Sequence, residues 1–553
     1  MKLQRTVIAP LLVMVVTAVS GGWLLQRGDV GEPDAADRAQ LFREVLEHIS
    51  TRYVDGPSSA ELYDMAIEGL IRELGDPHTS LMTPEQYANL RVQTEGEYGG
   101  LGTEIGVRNG WVTIIAPLPD TPAERAGLQA GDRIIEVDGE STEGWTQDDA
   151  VTRLRGPKGE PVDLKIRRSG VDEPIAVTVV RDEIHFAAVQ AQHMMEGDVG
   201  YVQLRMFSEG ATREIQAAVE NLRGQGATKL ILDLRLNPGG LLEQGVSVSD
   251  LFLPRGNAIV ETRAREARQN HTFRATRPDR YEGMPVVVLV NEYSASASEI
   301  VAGALQDHDR AVVMGTPTFG KGSVQTLYPL SAGNFLKVTT GRWYTPVGRS
   351  IERERELHGD PVALLEGEPD PDVGMEDDAD RRPVPAGEAV DTTERRPYRT
   401  DSGRTVYGGG GIVPDVIVRD VYSEAEQELI RAIHRAEHLP NDLFYRYVGD
   451  YIQRTPNLQR DFEVTPRMRA EFLELLRAEG VQLPDADEGE YARFIDNRIG
   501  FEIALRQFGR PVAMERHTAG EAEVRAALEL LRQATDPASL IALAQERSTT
   551  AQR

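Results

Sequence analysis

YSASASEIVAGALQDHDRAVVMGTPTFGKGSVQ, from Tyr293 to Gln325, is the stretch on which the reading of this chain turns. Ser296 opens a run in which Ile300, Val301, Ala304 and Leu305 recur at threes and fours, so the spacing predicts a helix. The preceding PVVVLVN, Pro285 to Asn291, is β-branched and aliphatic throughout its middle and predicts a buried strand. A serine at a strand-to-helix turn stands clear of the sheet. It also sits where unpaired N–H groups and the positive end of the helix dipole favour developing negative charge. Ser296 is therefore a candidate hydroxyl nucleophile, although Ser296-Ala-Ser-Glu299 also has the spacing of a simple capping box. Lys321 tips the balance towards chemistry. It lies in FGKGSVQ, a glycine-flanked turn between two strand-like segments, Ala311–Met314 and Ser323–Leu330. Glycines let a backbone approach another element closely, a setting that a merely solubilising lysine does not need.

Two competing readings of the same stretch fail on geometry. Gly315-Thr-Pro-Thr-Phe-Gly320-Lys321 follows a strand and matches the start of a phosphate-binding P-loop. Gly322 then stands where the magnesium-binding Ser or Thr belongs, and SVQTLYPL alternates like a strand where a helix N-terminus must follow. His308 and Asp307 invite a triad with Ser296. On one helix, at about 1.5 Å rise per residue, they lie roughly 16–18 Å away, so a surface or packing role is expected for both.

NEYSASASEIVAGALQDHDRAVVMGTPTFGKGSVQ resembles the active-site signature of the carboxyl-terminal processing peptidases, tail-specific serine proteases with a Ser–Lys dyad. The resemblance implies Ser296 as nucleophile, Lys321 as base and Gln325 as the residue orienting the lysine. It extends from about residue 40 to 420. In KLILDLRLNPGG, Lys229 to Gly240, a buried strand runs into a glycine turn able to aim backbone N–H groups as an anion nest. The resemblance implies an oxyanion hole there, from the N–H of Gly239 or Gly240 together with that of Ala297, at ~3–4 kcal/mol per donor. An ordinary structural turn at Asn237-Pro238 is the alternative.

The whole chain has 553 residues, a net charge of −27, 40% hydrophobic and 27% charged residues, and no cysteine. Such a length implies several domains. The charge argues against general binding of nucleic acid or anionic membranes. Without cysteine there are no disulfides, thiolate metal sites or cysteine-protease chemistry. Lys2 and Arg5 precede an uncharged apolar run, Thr6 to Leu25, of a length suited to a signal peptide or a single span. Ala18-Val19-Ser20 offers a cleavage site, but Trp23-Leu24-Leu25 carries the run past it, which favours an uncleaved anchor with the body exported. The expected location is the cell envelope, on the periplasmic or extracytoplasmic side, anchored to the inner membrane.

These signals give an α/β multidomain chain. Residues 1–27 form the signal peptide or anchor. A helical cap follows at 34–95, with period-3.6 faces in LFREVLEHISTRYV and ELYDMAIEGLIREL, closed by Asp76-Pro77-His78. In that turn a hydrogen-bonding role is expected for His78, with metal ligation as the rarer alternative. Residues 96–183 turn to short strands, and GLQAGDRIIEVDG within them resembles a PDZ domain, a β-sandwich-like module. That likeness implies a carboxylate loop at Gly100, Leu101 and Gly102 and a tail added as a strand beside Thr103–Val107; an ordinary tight turn is the alternative. The peptidase core, which the resemblance makes crotonase-like, takes 184–351 and 404–420, resuming in GGGGIVPDVIV. Between them, 352–403 is an acidic flexible insertion around EPDPDVGMEDDAD, in which the spacing and glycine of an EF-hand are missing. Residues 421–553 are a helical C-terminal region, with a capping box at Ser423–Glu426, a helix opening at Thr465-Pro466 and another in GEAEVRAALELLRQA. Oligomerisation, substrate holding or plain packing are all open to that region, and a homo-oligomer is one expectation.

For Lys321 to accept the Ser296 proton its pKa must drop from about 10.4 to roughly 7–8, and burial beside Phe319 and Val324 is the expected means. Cleavage then runs through an acyl-enzyme without metal or organic cofactor. The expected partners are proteins and peptides with free C-termini, held by the PDZ module, which would also gate access. Arg155, at the end of the PDZ helix, is a candidate sensor of the bound tail, or simply a surface arginine. Two rival functions are a non-catalytic PDZ adaptor and an acyl-CoA hydrolase or hydratase. Intact Ser296, Lys321 and Gln325 count against the first, and the PDZ-like insert and exported N-terminus against the second.

Overall fold

The computed structural model describes residues 35–108, 110–168, 170–353, 395–419, 422–436 and 440–551. The apolar N-terminal run and the acidic segment EPDPDVGMEDDAD lie outside the described residues. The chain divides into two compact units, Met1–Leu81 and Met82–Arg553.

In the first unit the two expected amphipathic stretches form α1 (Ala35–Arg52) and α2 (Ser59–Glu73). Ser58 caps α2 through a reciprocal box with Glu61. Leu41, Phe42, Val45 and Ile49 of α1 are exposed. At the Asp76-Pro77-His78 turn, the His78 backbone N–H donates to Asp76 Oδ1 at 3.1 Å.

The second unit opens with α3 (Pro84–Glu95), started by a Thr83 box with proline in its first turn and ended by Gly96 at φ 76°. The chain then enters β1 (Glu97–Gly100) and an antiparallel module of β2 (Thr103–Arg108), β3 (Trp111–Pro117), β4 (Arg133–Val137), α4 (Gln147–Leu154), β5 (Pro161–Arg167) and β6 (Ile175–Val180). Its sheet runs β2-β3-β4-β5-β6. Burial along β5 alternates strictly, as a strand with one solvated face requires. Strand β7 (Asp182–His185) leaves the module antiparallel to β1, so the two ends of the insertion are zipped together.

The remaining strands build the central sheet. Strands β8 (Val189–Met194), β9 (Val199–Leu204), β10 (Lys229–Asp233), β13 (Val286–Val290), β14 (Val312–Gly315) and β17 (Val416–Ile417) lie side by side in that order. Only β8 is antiparallel to its neighbour. Every residue of β13 is buried, the mark of a strand covered on both faces. One face is Val286, Val288 and Val290, packed with α5 (Ala211–Gly224), α6 (Leu242–Asp250) and α7 (Ala297–Asp307). The other face is Val287 and Leu289, packed with α13 (Ala522–Gln533) and α14 (Pro537–Ala551). The last two helices are thus a layer of the sheet and do not stand apart from it.

A second antiparallel sheet holds β11 (Ala258–Ala264), β12 (His271–Arg274) and the hairpin β15 (Ser323–Pro329) and β16 (Phe335–Tyr344). After Gly315 the chain passes through Lys321 into a strand, which removes the P-loop reading on structural grounds as well. Helices α8 (Glu424–Arg435), α9 (Pro440–Arg454), α10 (Pro466–Ala478), α11 (Ala492–Phe508) and α12 (Arg510–Gly520) enclose their own core around Phe444, Phe472, Ile495 and Ile499. The capping box expected at Ser423 is formed, and a helix opens at Thr465-Pro466 as expected, with the Thr465 hydroxyl accepting the Met468 N–H at 3.3 Å. This bundle meets the outer face of β2 through an Arg510–Glu104 ion pair, and the Arg108 guanidinium lies 4.6 Å from the Tyr445 ring centroid.

Candidate active site

Strand β13 ends at Val290, and Asn291 to Ala295 make a tight turn into α7. Ser296 is the residue before the helix, at φ 53°, ψ −111°. A side chain at positive φ costs about 1–3 kcal/mol and persists only where the surroundings fix it. From Ser294 to Asp307 every residue is buried except Ser296, which keeps solvent access. The capping reading is half right. Glu299 Oε2 accepts the Ser296 backbone N–H at 2.9 Å, but the serine side chain makes no cap hydrogen bond.

Glu299 does more than cap. Its fully buried carboxylate also accepts the Thr318 hydroxyl at 2.6 Å, the Gly320 N–H at 2.7 Å and the Lys321 N–H at 2.9 Å. The backbones of Ser296 and Lys321 converge on one oxygen atom, so their nitrogens are separated by no more than roughly two hydrogen-bond lengths. Burial pushes the Glu299 carboxyl above its ordinary range, against the opposing pull of those four hydrogen bonds. The sequence reading missed this role. The signal available was an acid followed on its helix by an uncharged, largely apolar run from Ile300 to Leu305, a placement that demands partners.

Lys321 is half-buried, and Phe319 beside it is 7% exposed. The Lys321 carbonyl accepts the indole N–H of Trp343 at 3.0 Å, which ties the lysine turn to β16. Gln325 sits at a β-bulge, where its amide donates to the hydroxyls of Ser323 at 2.9 Å and Thr339 at 3.4 Å.

The turn after β10 presses against the serine from below. A Cβ on Gly239 would lie 2.8 Å from Ser296 Cβ and 2.7 Å from the Ala295 carbonyl oxygen, so only glycine fits. Asn237 stitches the two segments together. Its carbonyl accepts the Ala295 N–H at 3.0 Å and the Ser298 hydroxyl at 2.9 Å, and its side-chain oxygen accepts the Gly239 N–H at 2.9 Å. The Gly239 N–H is therefore engaged, whereas those of Gly240 and Ala297 have no backbone acceptor among the described residues.

The far end of α7 has a different character. Asp307 pairs with the fully buried Arg349, and His308 is held between Asp401 and the Ala258 carbonyl, each at 2.7 Å. Neither reaches the serine, and both pack the segment around residues 395–419 onto the helix.

At the PDZ-like module, Gly100 pairs with Asp182 in β1–β7. The Leu101 carbonyl accepts the Ala123 N–H and that of Gly102 the Leu118 N–H, each at 2.9 Å. Gly102, at φ 77°, backs onto Thr121, whose Cβ would lie 2.3 Å from any added methyl. With the carbonyls engaged, the N–H groups of Leu101 and Gly102 have no backbone acceptor among the described residues. The Arg155 guanidinium lies 4.8 Å from the Tyr98 ring centroid, at the root of the module. No group of side chains among the described residues has the make-up of a metal site.

Comparison with known proteins agrees with this layout. The profile of peptidase family S41 matches residues 198–360, and a PDZ domain profile matches residues 113–168. The carboxy-terminal-processing protease of Bartonella bacilliformis is 46% identical over 315 residues, 56% of this chain and 72% of its own. The carboxyl-terminal-processing protease of a Synechocystis species is 41% identical over 309 residues, 55% of this chain and 71% of its own. The solved photosystem II D1 C-terminal processing protease aligns over 59% of this chain and 94% of its own, at 30% identity and a TM-score of 0.32.

Proposed function

The chain belongs to the carboxy-terminal processing proteases of peptidase family S41, and from that premise we propose that it is an exported endopeptidase that cleaves near free C-terminal tails with a Ser296–Lys321 dyad. The observation that carries this reading is the convergence of the Ser296 and Lys321 backbones on Glu299, with Ser296 the one accessible residue in its buried run.

Ser296 Oγ attacks the scissile carbonyl and gives its proton to the neutral Lys321 amine. The carbonyl oxygen becomes negative and is held by the Ala297 N–H and the glycine turn. Because Asn237 already takes the Gly239 N–H, Gly240 is the better second donor of the two. The intermediate collapses, and the leaving amine takes the proton from Lys321. Water then attacks the acyl-enzyme by the same route. Gln325, within reach of the hydroxyls of β15–β16, orients the lysine turn. The core is read as crotonase-like, in keeping with its parallel sheet and paired N–H donors.

The free N–H groups of Leu101 and Gly102 suit a peptide carboxylate, and β2 is the edge strand beside which the tail would add. Export rests on the N-terminal apolar run of the sequence; no helix among the described residues is long and apolar enough to cross a membrane. Self-association rests on the exposed apolar face of α1.

The test is a peptide bearing either a free or an amidated C-terminus, incubated with the wild-type enzyme and Ser296→Ala. The free-tailed peptide should be cleaved at least tenfold faster, and Ser296→Ala should cut neither. Cleavage by Ser296→Ala would sink the dyad, and equal rates for both peptides would sink tail recognition.

A further inference from the structure

The glycine turn beside Ser296 begins two residues after a cluster that nothing in the dyad uses. Strand β10 ends at Asp233, whose fully buried carboxylate accepts the Tyr201 hydroxyl at 2.7 Å. Arg235 folds back on it, with Nε 3.0 Å from Asp233 Oδ1 and the Arg235 backbone N–H 2.9 Å from the same oxygen. The rest of the guanidinium faces the junction of α12 and α13. Nη2 lies 2.7 Å from Glu521 and Nη1 3.4 Å from Glu523. Three carboxylates thus surround one cation, with side-chain exposures of 0% for Asp233, 21% for Glu521, 13% for Glu523 and 11% for Arg235.

Such an arrangement is a costly way to glue a helix onto a sheet. Desolvating charges offsets much of their attraction, and apolar residues of the same size do the job as well. The neighbouring seam of α13 is in fact apolar, with Val524, Ala527, Leu528 and Leu531 packed under the sheet. The ion cluster is also placed where it matters. Between Arg235 and Gly239, the Leu236 N–H donates to Asn291 Oδ1 at 3.0 Å, and Asn237 binds Ala295 and Ser298. Leu236 itself is held at φ 59°. The turn is pinned on one side by the serine elbow and on the other by Arg235.

We propose that Glu521 and Glu523 are positioning residues for the peptidase reaction, holding the Asn237–Gly240 turn in register with Ser296 through Arg235. The inference rests on the reading of Ser296 as the nucleophile. It makes the last helices of the chain part of the catalytic apparatus: when the α12–α13 junction is seated, the donor turn is set.

The full-length chain carrying Glu521→Gln and Glu523→Gln together is compared with wild type in three measurements. These are the rate at which a fluorophosphonate probe phosphonylates Ser296, kcat and KM on an unstructured peptide, and Tm. Phosphonylation and kcat should fall together by about tenfold or more, since both need donors on an oxyanion. KM should stay within twofold. A separate Glu521→Asp variant, which keeps the charge, should recover most of the rate. Wild-type rates in the folded double variant overturn the proposal, as does a loss of rate that merely follows Tm in both variants. If the double variant does not fold, Glu521→Gln alone decides: a lower kcat at unchanged Tm supports the role, and an unchanged kcat overturns it. Absence of label at Ser296 in the wild type would overturn the dyad and this proposal together, whereas equal labelling of wild type and variants overturns this proposal alone.

Discussion

The two faces of the peptidase sheet are covered by helices of different origin. The front layer, α5, α6 and α7, comes from within the family-matched segment 198–360, each helix following the strand it packs against. The back layer, α13 and α14, arrives from Ala522 onward, after the chain has left the sheet and built a separate bundle of five helices. The front layer carries Ser296, the proposed nucleophile, at the start of a helix buried along its whole length. The back layer carries no reacting group, yet it closes the same strands and reaches the site through Arg235. A strand such as β13, apolar on both sides, creates a debt that local sequence cannot settle. The segment that settles it gains influence over the site simply by being required.

Removing the back layer should have the largest effect. A chain ended after Gly520 loses Val524, Leu528, Leu531, Leu540 and Ile541 from contact with Ile231, Val287, Leu289 and Met314. At about 1.5–3 kcal/mol for each buried aliphatic side chain, the five together are comparable to the whole net stability of a domain, ~5–15 kcal/mol. Expression should yield aggregated protein, whereas Ser296→Ala should be soluble with wild-type Tm. A soluble, active truncated enzyme would remove the distinction between a fold-defining and a dispensable layer.

The front layer is broken most sharply at Glu299. Glu299→Gln keeps the shape but turns an NH2 towards two of its four donors. At about 1–3 kcal/mol for each orphaned donor, urea unfolding should show a loss of ~2–5 kcal/mol. Displacement of Ser296 against Lys321 should lower turnover by at least about 100-fold. A stable variant with ordinary turnover would show that the shared oxygen does not align the dyad.

The smallest effect belongs to the back seam. His193 of β8 stacks on Tyr201 at 4.8 Å and meets the Thr518 hydroxyl of α12 at 3.0 Å. Burial holds the imidazole below its ordinary value of 6.5, partly opposed by the charge of Glu515. The unfolded chain therefore takes up the proton first. The stabilisation is complete above about pH 6.5 and is lost as pH falls from there through the folded-state value. His193→Phe should flatten the decline of Tm below pH 6.5 by a degree or two, with no change in kcat at neutral pH. Parallel Tm curves for the two proteins would exclude His193 as a contributor to acid sensitivity of this layer.

Much of the site was legible in the sequence because its signals are local. PVVVLVN is the buried strand, the α7 spacing is a helix, and Ser296 stands at the turn between them. The glycines flanking Lys321 announced close backbone approach, and it is there: a Cβ on Gly320 would lie 3.0 Å from the Gly411 nitrogen and 3.1 Å from the Ile351 carbonyl oxygen. Glu299 was legible only as a cap, because three of its four donors come from residues 318–321 or hang on the fold of that loop. Arg235 gave no sign of its partners, which lie 286 and 288 residues further on.

By itself the sequence determined which segments are strand, helix and turn, because apolar periodicity and glycine requirements act within a few residues. Tertiary structure alone decided which helices would cover the second face of the sheet, and which buried carboxylate would hold serine and lysine together. Apolar surface accepts any partner of the right shape, and a buried charge is defined by groups brought to it from elsewhere in the chain.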